Sequence, residues 1–390
     1  MSATDTQSIV RERYSDAAQQ REPELCCPVD YNAQFLKVIP QEVIDRDYGC
    51  GDPSKHIREG ETVLDLGSGG GKICFIASQV VGREGQVIGV DMNDEMLSLA
   101  RKHQPTVADA IGHDNVEFRK GKIQDLAIDR EAIDAFLREH PVTDDTSLQT
   151  LEAHLETQRR EQPMIPDGSI DVVVSNCVLN LVDNDDKELL FDELFRVIRP
   201  GGRAVISDIV ADQPVPESMR NDPELWSGCI SGAFEQSAFL EAFENAGFED
   251  IEILDFQSSP WRMVADISFR SMTVIAYRPM SEAGTDELAD EQDEQPVPPD
   301  SGVERIYRGP FKFVSDDAGI VYSRGEVCEG ESAVAASRSS IADHFAVIHQ
   351  GQDLDTASKF PACDVSNSPS SRSTSLPTHD GDCCGGSSCC

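Results

Sequence analysis

From Glu61 to Asp91 the chain reads ETVLDLG, SGG, GKICFIASQVV, then, after GRE, GQVIGVD. Two short apolar runs bracket a segment of helix length, and glycines stand at 67, 69, 70 and 71 where the first run ends. A strand too apolar to alternate must be covered on both faces, and a helix joining two such strands makes them parallel. The pattern continues. NDEMLSLARKH reads as a helix opening on an Asn/Asp cap with Glu in its first turn; SIDVVVSN reads as a strand and DKELLFDELFRVI as a helix. RPGGRAVISDIV reads as a turn feeding another strand. The expected fold class is therefore α/β, a mostly parallel, doubly wound Rossmann-like sheet, and such sheets bind ligands at the carboxyl ends of their strands.

At 390 residues the chain exceeds one ordinary domain, and its composition shifts mark boundaries. Residues 1–54 form an N-terminal segment with Cys-bearing loops, and 55–212 form the alternating domain, with an insert at about 126–165 whose pattern suggests two surface helices. A mixed substrate-side segment spans 213–280. An acidic linker follows at 281–304, with nine acids, no base and the run PVPP. A small segment of open role spans 305–350, and 351–390 is a Ser- and Cys-rich low-complexity tail expected to be disordered. There are no internal repeats.

Acidic residues outnumber basic ones 71 to 33, a net charge of −38. Such a field repels phosphate backbones and anionic lipid, so neither nucleic acid nor membrane is expected as a partner. The acid excess, with 9 Lys against 24 Arg, also suits a protein kept soluble in high salt. No segment approaches 18 uncharged apolar residues, and the start MSATDTQSIVRERY lacks a secretory apolar run, so a cytoplasmic location is expected.

The Gly-rich loop runs Asp65-Leu66-Gly67-Ser68-Gly69-Gly70-Gly71-Lys72 straight into a helix, where glycines let a ligand approach the backbone. A dinucleotide fingerprint needs Gly at 72, which is Lys; the text fits D-x-G-x-G-x-G instead. Asp91 closes the next strand, where a carboxylate can accept both hydroxyls of a ribose. Together these resemble the S-adenosylmethionine site of class I methyltransferases. The resemblance implies cofactor contacts at Asp65, Gly67, Ser68, Gly69, Gly71, Asp91 and Met92. It places Gln124, with Asp125 or Ile123, near the adenine and Asn176 beside the methionine part.

Four single cysteines fall around that expected site: Cys50 in YGCGDP, Cys74 early in the helix after the Gly-rich loop, Cys177 in SNCVLNL and Cys229 in SGCISGA. Alone, each reads as a small buried hydrophobe. Their joint placement matters more, because thiolates select soft, thiophilic ions. YGCGDP, VLDLGSGGGKIC, VIGVDMNDEML, SNCVLNLV, RVIRPGG and ELWSGCISGAF resemble the successive motifs of the arsenite methyltransferases over about residues 45–280. That resemblance implies a class I methyltransferase that transfers methyl from S-adenosylmethionine to thiolate-bound As(III) in arsenic detoxification. It makes Cys50, Cys74, Cys177 and Cys229 the catalytic thiols. Within it Cys74, Cys177 and Cys229 hold arsenic, Cys50 joins the disulfide formed when arsenic is reduced, and a thiol reductant, glutathione or thioredoxin, resets the enzyme.

Departures from the family pattern are the insert and the region after about Met280. The pairs Cys26-Cys27, Cys383-Cys384 and Cys389-Cys390 read either as capture sites for soft ions or as incidental features of flexible segments. The eight histidines form no His-x-x-x-His pair. Two other readings fit part of the text: a methyltransferase of a small organic acceptor with structural cysteines, and a non-catalytic thiol-rich metalloid-binding protein.

Overall fold

The computed structural model describes residues 3–20, 29, 31–257, 259–280, 304–307, 313–315, 320–323, 327–328 and 345–348. Cys26, Cys27, nearly all of the acidic linker and the whole 351–390 tail, with its cysteine pairs, lie outside the described residues.

Helix α1 (Ala3–Gln19) and the short α2 (Ala33–Leu36) and α3 (Gln41–Asp45) precede the sheet. Strand β1 (Thr62–Leu66) leads to α4 (Lys72–Val81), β2 (Gln86–Asp91), α5 (Asp94–Ile111) and β3 (Val116–Lys120). The insert supplies α6 (Arg130–Glu139) and α7 (Asp145–Glu161) before β4 (Ile170–Asn176), α8 (Lys187–Val197) and β5 (Ile198–Ala211). Then come α9 (Glu217–Arg220), α10 (Pro223–Ser227), β6 (Phe234–Glu235), α11 (Gln236–Asn245), β7 (Glu249–Phe256), β8 (Arg262–Val264) and β9 (Ile267–Tyr277). The sheet order is β3-β2-β1-β4-β5-β9-β7, parallel from β3 through β5 and antiparallel where β9 enters; β6 pairs with β5 and β8 with β9. Short strands β10 (Glu304–Tyr307) to β14 (Phe345–Ile348) form two small separate sheets.

Burial explains the strand text. Successive side chains leave a strand on opposite faces, so Leu64 and Leu66 join one core with Ile88, Val90 and Phe191, while Val63 joins the other with Val87, Phe75 and Ile76. A sheet covered on both sides leaves no position for alternation with polar residues. Helix α5 begins where its text says, with the Asn93 side chain accepting from the N–H groups of Glu95 and Met96. The RPGG text behaves differently from expectation. Instead of a turn before the strand it lies within β5 as a bulge, since the β4 partner of Ile170 is Ile198 and that of Val172 is Arg203, with Gly201 at φ 74°.

The chain runs outward from β1 to β3 and then returns to β4 on the other side of β1. The order thus reverses between β1 and β4. The carboxyl ends of these two strands open a crevice there, between Gly67 and Cys177.

Candidate active site

A cavity opens in this crevice. The Gly-rich loop forms its floor through Asp65, Gly67, Ser68, Gly69 and Gly70; Asp91 and Met92 come from the end of β2, and Ile123 and Gln124 from the turn after β3. Asn176, Cys177 and Val178 close it from β4. Gly67, at φ 67°, has no room for a side chain because a Cβ would overlap Val178. Asp91 accepts from Gly69 N at 2.8 Å through Oδ2 and from Asn93 N at 2.8 Å through Oδ1, so it braces the loop while facing the cavity.

The cavity suits a nucleoside carrying a positive charge. Asp47, Asp65, Asp91 and Asp183 all line it, and burial raises Asp65 to about 8 and lifts Asp91 as well. Buried carboxylates held up in this way gain most from a cationic ligand. Ser68 Oγ is buried without a partner and stands ready for a ligand hydrogen bond. The residues present therefore fit S-adenosylmethionine.

Two of the expected cofactor residues have other contacts. Gly71 lies off the cavity, capping α4 against the ring of Phe118. Asn176 lines the cavity, but its side chain is spent elsewhere. Its Oδ1 accepts from Cys50 N (2.8 Å) and Gly51 N (3.1 Å), while Nδ2 donates to Gly51 O (2.7 Å) and to the Tyr31 hydroxyl (3.0 Å). Asn176 is thus a bracket for the Cys50 loop. Lys72, where a dinucleotide loop would have Gly, is buried in an ion pair with Asp47 and sits 3.7 Å above the Tyr31 ring, tying the loop to the N-terminal segment.

The four cysteines do not form one group. Cys177 lies within hydrogen-bonding reach of both Cys50 and Cys229, and Cys229 Sγ contacts Cys177 O at 3.4 Å. All four are free thiols. Cys74, expected as the third arsenic ligand, is fully buried in the core on the α4 side of the sheet, and its Sγ donates to Asp65 Oδ2 at 3.2 Å. The reason is helical phase: position 74 on α4 turns toward β1 and β2, not toward the crevice. Cys50, expected as a redox partner, stands beside Cys177 instead. Among the described residues no three His, Cys, Asp or Glu side chains already surround one point as metal ligands, so the thiols meet pairwise through Cys177.

Burial raises Cys50, and raises Cys177 well above the usual thiol range, with hydrogen bonds to its neighbouring cysteines adding to the rise. These are thiols rather than thiolates. Both Cys177 (φ 62°) and Cys229 (φ 61°) adopt the left-handed conformation that glycine favours, two of only five such non-glycine residues among those described. Each costs about 1–3 kcal/mol and persists only where its surroundings enforce it.

One contributor had no local signal in the sequence. Helix α1 crosses the mouth of the cavity with Val10 and Tyr14 lining it, and the Tyr14 hydroxyl lies 4.0 Å from Cys229 Sγ. Arg13 donates to Glu224 O and Ser227 Oγ on α10, while Asn93 Nδ2 donates to Arg11 O and Ser15 Oγ. The helix thereby bridges the thiol side and the Asp91 side. Its apolar spacing alone reads as an ordinary surface helix.

A sheet of this order with a glycine loop, a carboxylate at the end of β2 and a cavity at the switch point has the fold of the class I S-adenosylmethionine-dependent methyltransferases. The family profile described as a methyltransferase domain matches residues 57–160 and 147–247, and a domain of unknown function matches 298–375. Within the class, the chain is similar to arsenite methyltransferases. It is 40% identical to the arsenite methyltransferase of Halobacterium salinarum over 54% of this chain and 43% of that protein. To the arsenite methyltransferase of Aquipseudomonas alcaligenes it is 34% identical over 60% of this chain and 58% of that one. The match thus spans about half the length of these two relatives. The crystal structure of an arsenic(III) S-adenosylmethionine methyltransferase from Chlamydomonas reinhardtii is similar, at TM-score 0.52 and 26% identity, over 83% of this chain and 96% of that one.

Proposed function

We propose that this protein methylates trivalent arsenic, detoxifying arsenite or thiol-bound As(III), and that Cys50, Cys177 and Cys229 are the ligands of the arsenic. The observation that carries this reading is that Cys177, on the wall of the cavity, lies within hydrogen-bonding reach of thiols from two other segments, Cys50 and Cys229. The names of the relatives support the same substrate.

The raised pKa values of Cys50 and Cys177 suit the substrate. When arsenous acid exchanges three hydroxyls for three thiols, each thiol proton leaves with a hydroxyl as water, so no thiolate has to be made in the buried site. Arsenic so held keeps its lone pair as the nucleophile, and no general base is needed because arsenic bears no proton. S-adenosylmethionine, when bound, supplies the electrophilic methyl. Cys177 presents arsenic toward the cavity, and Asp91 and Ser68 hold the cofactor. Positioning is the main demand of such a displacement. Methylation formally oxidises arsenic by two electrons; two thiols return them by forming a disulfide, and glutathione or thioredoxin in the cytoplasm then reduces that disulfide.

Incubation with arsenite, S-adenosylmethionine and a thiol, followed by speciation of arsenic, tests the reading. Methylated arsenicals are expected, Cys177→Ser should abolish them without changing cofactor affinity, and Cys74→Ser should still bind arsenite. Absence of methylated product from the wild type, or full activity of Cys177→Ser, would overturn it.

A further inference from the structure

Two charged side chains buried beneath the thiols are not used by the chemistry above. Asp208, fully buried near the end of β5, accepts four hydrogen bonds: Oδ2 from Leu179 N (2.9 Å) and Asn180 N (3.3 Å), and Oδ1 from Asn180 Nδ2 (2.8 Å) and Ile209 N (2.7 Å). Asn180 Nδ2 also donates to Ile209 O at 2.6 Å, and Cys177 N to Ser207 O at 2.8 Å. The turn that follows Cys177 is therefore fastened to β5 at five points. Lys187, at the start of α8, is buried over the Phe234 ring (4.0 Å) and donates to Gly232 O in the turn that follows Cys229. Ser231 Oγ in that same turn donates to Met219 O at 2.6 Å. The two turns are also wedged together, because a Cβ at Gly232 would overlap the Asn180 carbonyl.

We infer that Asp208, Asn180 and Lys187 are positioning residues that lock the Cys177 and Cys229 turns to each other, and so select an arsenical that takes three thiols over one that takes two. The inference rests on the three-thiol reading above. A shorter or apolar residue could not do this. Three N–H donors of a buried turn, with that of Ile209 in the strand, need a carboxylate to receive them, and the Gly232 carbonyl is reached from α8 by a long stem ending in a donor. The left-handed backbone at both cysteines shows what is being held, since it would relax if these bonds were released. Once arsenic has bound one thiol, capture by the next is intramolecular. Its strength depends on how narrowly the remaining thiols are confined. A loosened turn penalises the third bond and leaves two thiols able to close on an arsenical with only two exchangeable positions.

The experiment measures dissociation constants of arsenite, phenylarsine oxide and S-adenosylmethionine by calorimetry for the wild type, Asp208→Asn and Lys187→Met. Lys187→Met keeps the stem length and the contact with Phe234, so it stands in should Asp208→Asn fail to fold. In the variants arsenite should weaken about tenfold or more and phenylarsine oxide by less than about threefold, with cofactor affinity unchanged. Wild-type arsenite affinity in a folded Lys187→Met, or equal weakening of both arsenicals together with the cofactor, would overturn the inference. A wild type that binds no arsenite would instead overturn the three-thiol reading and this inference with it.

Discussion

Asp65 shows how a single residue links the two halves of the site. It ends the buried strand β1, faces the cavity and takes a hydrogen bond from Cys74, and burial raises it to about 8. In the unfolded chain its carboxyl ionises near 3.8, so between about pH 4 and 8 the unfolded state releases a proton that the folded state keeps. By linkage this group's contribution to stability falls as pH rises through that window. Asp65→Asn removes the effect, so the melting-temperature gain of the variant over the unliganded wild type should be larger at pH 8 than at pH 5. A gain independent of pH would show that the carboxyl is ionised in the fold. Cys74 has its role through the same contact. It lies in the core behind the cavity, against Asp65, and the sequence motif that contains it cannot reveal which way its helix faces.

At the scale of elements, the insert and α1 differ in what they add. No residue of α7 is buried, and α6 buries Ile133 alone. The base of the insert is already closed, since Met164 N donates to Ala127 O and Ile165 N to Leu126 O, both at 2.9 Å. Replacing residues 130–162 by a short turn should cost about 1.5–3 kcal/mol for the loss of one buried aliphatic side chain. Cofactor affinity should not change. A large loss of cofactor affinity in calorimetry would assign the insert to the site. Helix α1, by contrast, lines the cavity and touches the thiol side, and nothing in VRERYSDAA marks it for that place.

Over the whole molecule the dominant property is charge. Residues 1–280 carry 26 basic and 51 acidic residues, a net −25, and 281–390 carry 7 and 20, a net −13, so the excess covers the region with the main sheet as well as the remainder. Self-repulsion of this size weakens a compact state at low ionic strength, and the screening length shrinks from about 10 Å at 0.1 M to about 3 Å at 1 M. The melting temperature should rise as KCl is raised from 0.1 to 1 M, and a flat or falling trend in calorimetry would rule out repulsion as a limit on stability. The sheet, the glycine loop and Asp91 were legible in the text because each is a local matter: burial on both faces leaves apolar runs, and a tight turn onto a helix leaves glycines. The thiol site was legible only as four candidates. Which thiols stand near Cys177 depends on tertiary contacts: Cys74 faces Asp65 in the core, Asn176 brackets the Cys50 loop, and Asp208 and Lys187 bond the turns after Cys177 and Cys229. These contacts join residues more than a hundred positions apart at Cys50, and some thirty to forty-five apart behind Cys177 and Cys229. No spacing rule reaches across such separations, because they exist only once the strands have been laid side by side.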